Sequence, residues 1–225
     1  MTAPNDNRTG TTVSARKTEA EVKLTPPGNG RIPVAFVISE DATVIDFAGP
    51  WEVFQDVMAD ARGEGTAFQL FTVSDRDGTI TASSGMKLVP DYTLEMAPPA
   101  KIVVVPAQKG SRQIEEWLAG IAPDVDLIMS VCTGAFVLAR AGLLNGRSAT
   151  THHLFTDKLA REFPQVTVKR GVRFVEDGRI SSAGGLTAGI DLALRVVERY
   201  FGRAIALATA DYMEYQGGGW KGSDP

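Results

Sequence analysis

Three near-continuous apolar runs of strand length, 32–39 (IPVAFVIS), 101–106 (KIVVVP) and 126–130 (DLIMS), lie between stretches of helical period. An apolar run of that length without polar alternation belongs to a strand covered on both faces. Strands that alternate with helices need crossover connections, so the chain is expected to form an α/β sandwich with a mostly parallel central sheet and helices on both faces. Hydrophobic residues make up 44% of the 225, enough for one sizeable core. No stretch approaches the roughly 18 consecutive apolar residues of a membrane span. The start, MTAPNDNRTG, lacks the apolar segment of a secretory signal, so the expectation is a cytoplasmic protein with no membrane partner.

The same reading places a strand at 68–74, a small hairpin at 79–83 and 86–90, and short strands at 148–151, 166–168, 172–175 and 179–182. Helices are expected at 51–61, 111–121, 135–141, 152–163, 186–201 and 204–215. Pro50 opens the first of these, where its missing N–H is harmless, and residues 46–49 form the loop before it. Residues 1–30 are poor in large apolar groups and are expected to be a flexible tail, with 13–22 as its one candidate helix. Residues 31–216 then form a single domain, and 217–225 (GGGWKGSDP) a frayed end.

With 23 basic and 27 acidic residues the net charge is −4, which leaves no cationic excess to neutralise phosphates. Nucleic acid is therefore not an expected partner. The single cysteine, Cys132, excludes an internal disulfide. It falls in DLIMSVCTGAFVLARAGLL, where a buried strand turns at once into a helix, the layout of a nucleophile elbow. Gly134 is the small residue two positions on; Ser130 stands two before. A thiol at a helix start meets free N–H groups and the positive end of the macrodipole, which favour thiolate. The Thr133 N–H is placed to stabilise an anion on a bound substrate. A free cysteine elsewhere is more often a small buried hydrophobe.

Five segments, IDFAGPWEV (45–53), SVCTG (130–134), AGLL (141–144), ATTH (149–152) and GGLTAGID (184–191), resemble the ThiJ/PfpI superfamily of class I glutamine-amidotransferase-like proteins. Within it they are most similar to the isonitrile hydratase branch and to the sensor halves of AraC-type regulators. The resemblance implies a flavodoxin-like sandwich, usually a homodimer, with Cys132 as nucleophile and neither metal nor organic cofactor. Isonitrile hydratases convert R–N≡C to an N-substituted formamide, so the implied partner is a small-molecule substrate. The D-x-x-G-P loop supplies an aspartate, here Asp46, and Thr133 belongs to the functional set. Most members carry Pro-Gly-Gly where this chain has Pro106-Ala107-Gln108, so the second backbone donor of the oxyanion site falls on Gln108, with a side chain where glycine usually leaves room. Gln108 and Gly49 are the substrate-contacting candidates.

Each site residue also has a plain structural reading. Asp46 beside Cys132 would have its carboxyl pKa raised by burial and by a thiolate, and once protonated would donate to the substrate; it would serve equally as a helix N-cap. His152 is a base for the attacking water or a cap at a helix start. A Cys132–His152–His153 metal site lacks a fourth ligand at recognisable spacing. Gly184 and Gly185 read as close helix packing rather than a phosphate loop, and Trp51, Phe54 and Phe136 as core. Arg195, Glu198 and Arg199 read as a solvated face. Three functions follow in order: an isonitrile hydratase, a glyoxalase- or deglycase-type hydrolase of reactive carbonyls, and a non-enzymatic regulator. The last is ranked lowest because no basic recognition helix follows the matching blocks.

Overall fold

The computed structural model describes residues 24–28, 30–57 and 67–221. The chain runs through β1 (Ile32–Val37), α1 (Val44–Gln55), β2 (Phe68–Ser74), β3 (Ile80–Thr81), β4 (Lys87–Leu88), β5 (Tyr92–Thr93) and β6 (Ile102–Val105). It continues with α2 (Arg112–Ile121), β7 (Leu127–Val131), α3 (Gly134–Arg140), β8 (Ser148–Ala149), α4 (Thr156–Glu162) and β9 (Thr167–Val168). β10 (Phe174–Asp177), β11 (Ile180–Ala183), α5 (Ala188–Phe201) and α6 (Arg203–Tyr212) complete it. The main sheet has the order β10-β11-β7-β6-β1-β2-β5, parallel throughout except for the antiparallel β10–β11 pair. This is the expected α/β sandwich.

Side chains alternate across the strands, so each strand feeds two cores. Val34, Phe36, Val104 and Met129 pack with Phe54 of α1, Leu192 and Val196 of α5, and Ala206 of α6. Ala35, Val37, Val103 and Ile128 point the other way, to Ile114 and Leu118 of α2, Leu138 of α3 and Leu159 of α4. Both faces are thus dry, which explains the unbroken apolar runs. The β3–β4 hairpin forms as the sequence suggests. Phe54 and Phe136 are core as expected, on opposite faces of the sheet, and Trp51 packs on the Phe54 side.

The first helix is a correction. It begins at Val44, with Thr43 as N-cap, so Asp46 lies in its first turn and Pro50 lies inside it. Residues 46–49 are helical, not a loop, and Asp46 is not the cap. Pro50 removes one backbone bond from the helix interior, and close packing accompanies that departure. A Cβ on Gly49 would lie 3.0 Å from Ile190 Cγ1, and one on Gly189 3.4 Å from Pro50 Cγ. Small residues therefore let α1 and α5 cross closely above the end of β7. The expected extension of this helix to 61 runs into residues outside those described, as does the candidate helix at 13–22.

Both expected ends differ where they are described, while 1–23 and 222–225 lie outside the described residues. Leu24, inside the expected tail, is 4% exposed and belongs to the core. Trp220, inside the expected frayed end, is fully buried, with the Arg203 guanidinium 5.4 Å from its ring centre. A large apolar ring loses more by staying in water than the backbone loses by ordering. Arg195, Glu198 and Arg199 are no solvated face either: Arg195 and Arg199 both bind Glu176 of β10, and the Arg199 side chain is 3% exposed. The helix expected at 152–163 is a 3-10 turn over His153–Phe155 followed by α4. Among the described residues no helix is long and apolar enough to cross a membrane.

Candidate active site

Cys132 follows β7 at φ +58°, the left-handed region that a non-glycine residue adopts only under local constraint. Its N–H donates to Gly184 O at 2.8 Å and Ala183 O at 3.2 Å, and its C=O accepts from Thr151 Oγ1 at 2.8 Å. The elbow expected at this position is present. Gly134 is what lets α3 start so close to the sheet, since a Cβ there would stand 2.2 Å from Val105 O.

Asp46 reaches the thiol from the first turn of α1. Its carboxyl is completely buried: Oδ2 accepts from Ala107 N–H at 3.2 Å, Oδ1 has no hydrogen-bond partner among the described residues, and the group is electrostatically coupled to Cys132. Burial raises the Asp46 carboxyl from 3.8 to about 6, against the lowering effect of the Ala107 and Leu186 N–H groups and of Cys132. Cys132 is 8% exposed. Burial, followed by the Asp46 charge, raises its thiol from 9.0 to about 11, while the Thr133 and Leu186 N–H groups pull it down.

These directions correct the expected ionisation. Helix-start N–H groups do favour thiolate, but burial beside a carboxylate outweighs them. At neutral pH the pair holds one proton, and it resides on sulfur. Asp46 is raised, as expected, yet is mainly carboxylate at rest. The arrangement suits proton transfer from thiol to carboxylate as sulfur attacks an electrophile.

The other candidates separate clearly. The Thr133 N–H is directed at the Cys132 sulfur. The Gln108 side chain is engaged with β1, Nε2 donating to Val37 O at 3.0 Å, and the neighbouring Ala107 N–H serves Asp46. The sequence reading missed Leu186, whose N–H lowers the titration of both members of the pair. Leu186 is a leucine at φ +53°, and only the two glycines before it hinted at an unusual turn. Gly49 packs on Ile190 in the α1–α5 crossing rather than reaching the site.

His152 takes the capping geometry. Its Nδ1 accepts from Leu154 N–H at 3.3 Å, and its ring stacks on His153 at 4.5 Å. Burial and His153 hold its pKa below the ordinary value. A Cβ on Gly185 would fall 2.1 Å from His152 Cδ2, so the Cδ2 edge of the ring abuts the turn next to Leu186. Among the described residues no group of three His, Cys, Asp or Glu side chains assembles that would hold a metal ion.

A cavity of about 430 Å³ lies beside the elbow, lined by Thr151, His152, Gly184, Gly185, Leu186 and Arg173 among others. Thr151 and Gly184 are the residues bonded to the Cys132 main chain. A larger cavity of about 630 Å³, lined by Trp117 and Lys101, lies at the amino ends of the strands. Ligands of open parallel sheets bind at the carboxyl ends, where the smaller cavity lies, although neither Cys132 nor Asp46 lines it.

A family model described as the DJ-1/PfpI family matches residues 33–199. Isonitrile hydratase from Pseudomonas putida is 30% identical over 190 residues, covering 82% of this chain and 78% of that protein. The HTH-type transcriptional regulator GbdR of Pseudomonas aeruginosa is 28% identical over 198 residues, or 85% of this chain and 53% of the regulator. The chain thus spans about half the length of that relative. A ThiJ/PfpI family protein from Pseudomonas syringae superposes with a TM-score of 0.74 at 25% identity, covering 84% of this chain and 77% of that one. DJ-1beta of Drosophila melanogaster gives 0.69 at 17% identity, covering 82% and 98%, a likeness of fold alone.

Proposed function

The chain belongs to the DJ-1/PfpI family, and from that premise we propose that it adds water to an isonitrile, with Cys132 as nucleophile and Asp46 as proton carrier. The observation that carries this reading is a wholly buried carboxyl, raised to about 6, set against the chain's only thiol, raised to about 11. As sulfur bonds to the terminal carbon of R–N≡C, the S–H bond breaks toward Asp46, which delivers the same proton to that carbon. The product is a thioimidate, R–N=CH–S–Cys132. The Thr133 and Leu186 N–H groups stabilise the charge that passes through sulfur. Water then adds across C=N, the tetrahedral carbon expels sulfur with return of a proton, and R–NH–CHO leaves. Atoms balance as R–N≡C plus H2O.

The similarity to isonitrile hydratase supports this substrate class, and the working unit in this reading is a cytoplasmic homodimer. A second reading, ligand sensing without turnover, is favoured by the similarity to the regulator domain. Incubation with cyclohexyl isocyanide separates them: N-cyclohexylformamide should accumulate with the native protein and not with Cys132→Ala. Binding without formamide would favour the sensor, and Cys132-dependent loss of methylglyoxal would favour a carbonyl hydrolase.

A further inference from the structure

The turn 184–187 holds the elbow directly, Gly184 O accepting the Cys132 N–H at 2.8 Å, and the Leu186 N–H within it lowers the titration of both Cys132 and Asp46. Leu186 is held at φ +53° with its side chain half-exposed. Such a backbone persists only where the surroundings fix it. What fixes it lies outside the turn 184–187. The C=O of Arg173, just before β10, accepts from Gly184 N–H at 2.9 Å, and its Nη2 donates to Thr187 Oγ1 at 3.2 Å. One residue thereby ties both ends of the turn.

Arg173 is itself fixed by Asp191 of α5. Its Nε donates to Asp191 Oδ2 at 2.6 Å, and the Asp191 carboxylate is 1% exposed. Asp191 Oδ1 accepts from Tyr215 O–H at 3.2 Å. The segment after α6 closes over this carboxylate: a Cβ on Gly219 would stand 2.8 Å from Asp191 Oδ2, and buried Trp220 follows directly. A charge this far from water is tolerated only while its partners stay in place. The groups that face it are Arg173 and Tyr215; on the other side of the turn, the His152 ring lies on Gly185.

We infer that Asp191 is a positioning residue for the Cys132–Asp46 pair, acting through Arg173 on the turn 184–187 to keep the Leu186 N–H aimed at both groups. It touches neither thiol nor substrate. The inference rests on the proposed role of that pair, but its readout needs no isonitrile turnover. The Leu186 N–H lowers the titration of both groups, so freeing the turn raises both.

The test is the rate of Cys132 alkylation by iodoacetamide as a function of pH, in the full chain and in Asp191→Asn and Thr187→Val. Thr187 makes no cap hydrogen bond of its own, so its valine variant cuts only the Arg173 tie and leaves the buried ion pair intact. Both variants should move the alkylation midpoint to higher pH. A rise of about half a unit slows alkylation below the midpoint about threefold. Folded variants whose profiles superimpose on the native one overturn the inference, whatever their melting temperatures. Should Asp191→Asn not fold, Thr187→Val and Arg173→Lys carry the same comparison. A shifted midpoint in a protein that hydrates no isonitrile upholds the positioning role and removes the proposed function instead.

Discussion

Asp46 and Cys132 approach from different helix starts, Asp46 in the first turn of α1 and Cys132 two residues before α3, and share one proton at neutral pH. That sharing separates thiolate content from turnover. In Asp46→Asn the carboxylate charge is gone, so the Cys132 titration should fall from about 11 while burial still holds it high. Turnover should nevertheless drop by roughly 10²–10⁴-fold, because the proton carrier is lost. Ultraviolet titration of the thiolate and formamide assays on one preparation check both halves. A variant with more thiolate and more product would refute the proton-carrier role.

The carboxyl must be ionised to accept the thiol proton. Formamide production, measured as kcat/KM, should therefore rise with pH through about 6 and then level off. A rate that falls as pH rises through that value would mean that the protonated carboxyl is the resting form required.

The same burial costs stability. Asp46 titrates at 3.8 when unfolded and about 6 when folded, so between those values the folded state binds more protons. Its stabilising effect is present below pH 3.8 and lost as pH rises through about 6. A shift of this size corresponds to about 3 kcal/mol. Asp46→Asn should accordingly raise the unfolding free energy at pH 8, with a smaller gain at pH 5. Urea denaturation at the two pH values measures the difference; equal effects would contradict the linkage.

The sheet was readable because a strand dry on both faces leaves an unbroken apolar run, as at 32–37 and 102–105. The elbow was readable for a related reason: Cys132 sits where such a run meets a helix. Asp46 was found, but its helix was misread because Pro50 normally marks a first turn. Only the tertiary crossing against Gly189 accounts for a proline six residues further in. Leu186 was invisible, since its contribution is a backbone N–H and its side chain carries no information about that. The Arg199–Glu176 pair and Trp220 were misread because charge and glycine content, judged locally, resemble exposed chain. The thiol's ionisation was misjudged because burial beside a carboxylate is a property of two segments far apart in sequence.

Glycine substitutions should discriminate between two close approaches, one at the elbow and one in the α1–α5 crossing. In Gly134→Ala the new Cβ meets backbone, 2.2 Å from Val105 O, and neither α3 nor β6 has room to shift. The cost should be about 3 kcal/mol or more. In Gly49→Ala the neighbour is a side-chain atom, Ile190 Cγ1 at 3.0 Å, which can shift where backbone cannot. That change should cost about 1 kcal/mol or less, part of it offset by alanine's better helix propensity. Thermal unfolding of the two variants gives the comparison.

His152 offers the sharpest division between structure and chemistry. Its Nδ1 already accepts the Leu154 N–H, its ring lies between His153 and Gly185, and burial keeps it neutral. A capping side chain replaced by alanine costs about 1 kcal/mol, whereas loss of a general base costs roughly 10²–10⁴-fold in rate. His152→Asn keeps a cap acceptor but no base near neutral pH. If the ring is a cap, His152→Asn should retain near-native stability and turn over within about tenfold of the native rate, with the larger stability loss confined to His152→Ala. A collapse of turnover in His152→Asn at unchanged melting temperature would instead make His152 the base for the water that cleaves the thioimidate. Single-turnover trapping of the intermediate on Cys132 would then show it accumulating in that variant.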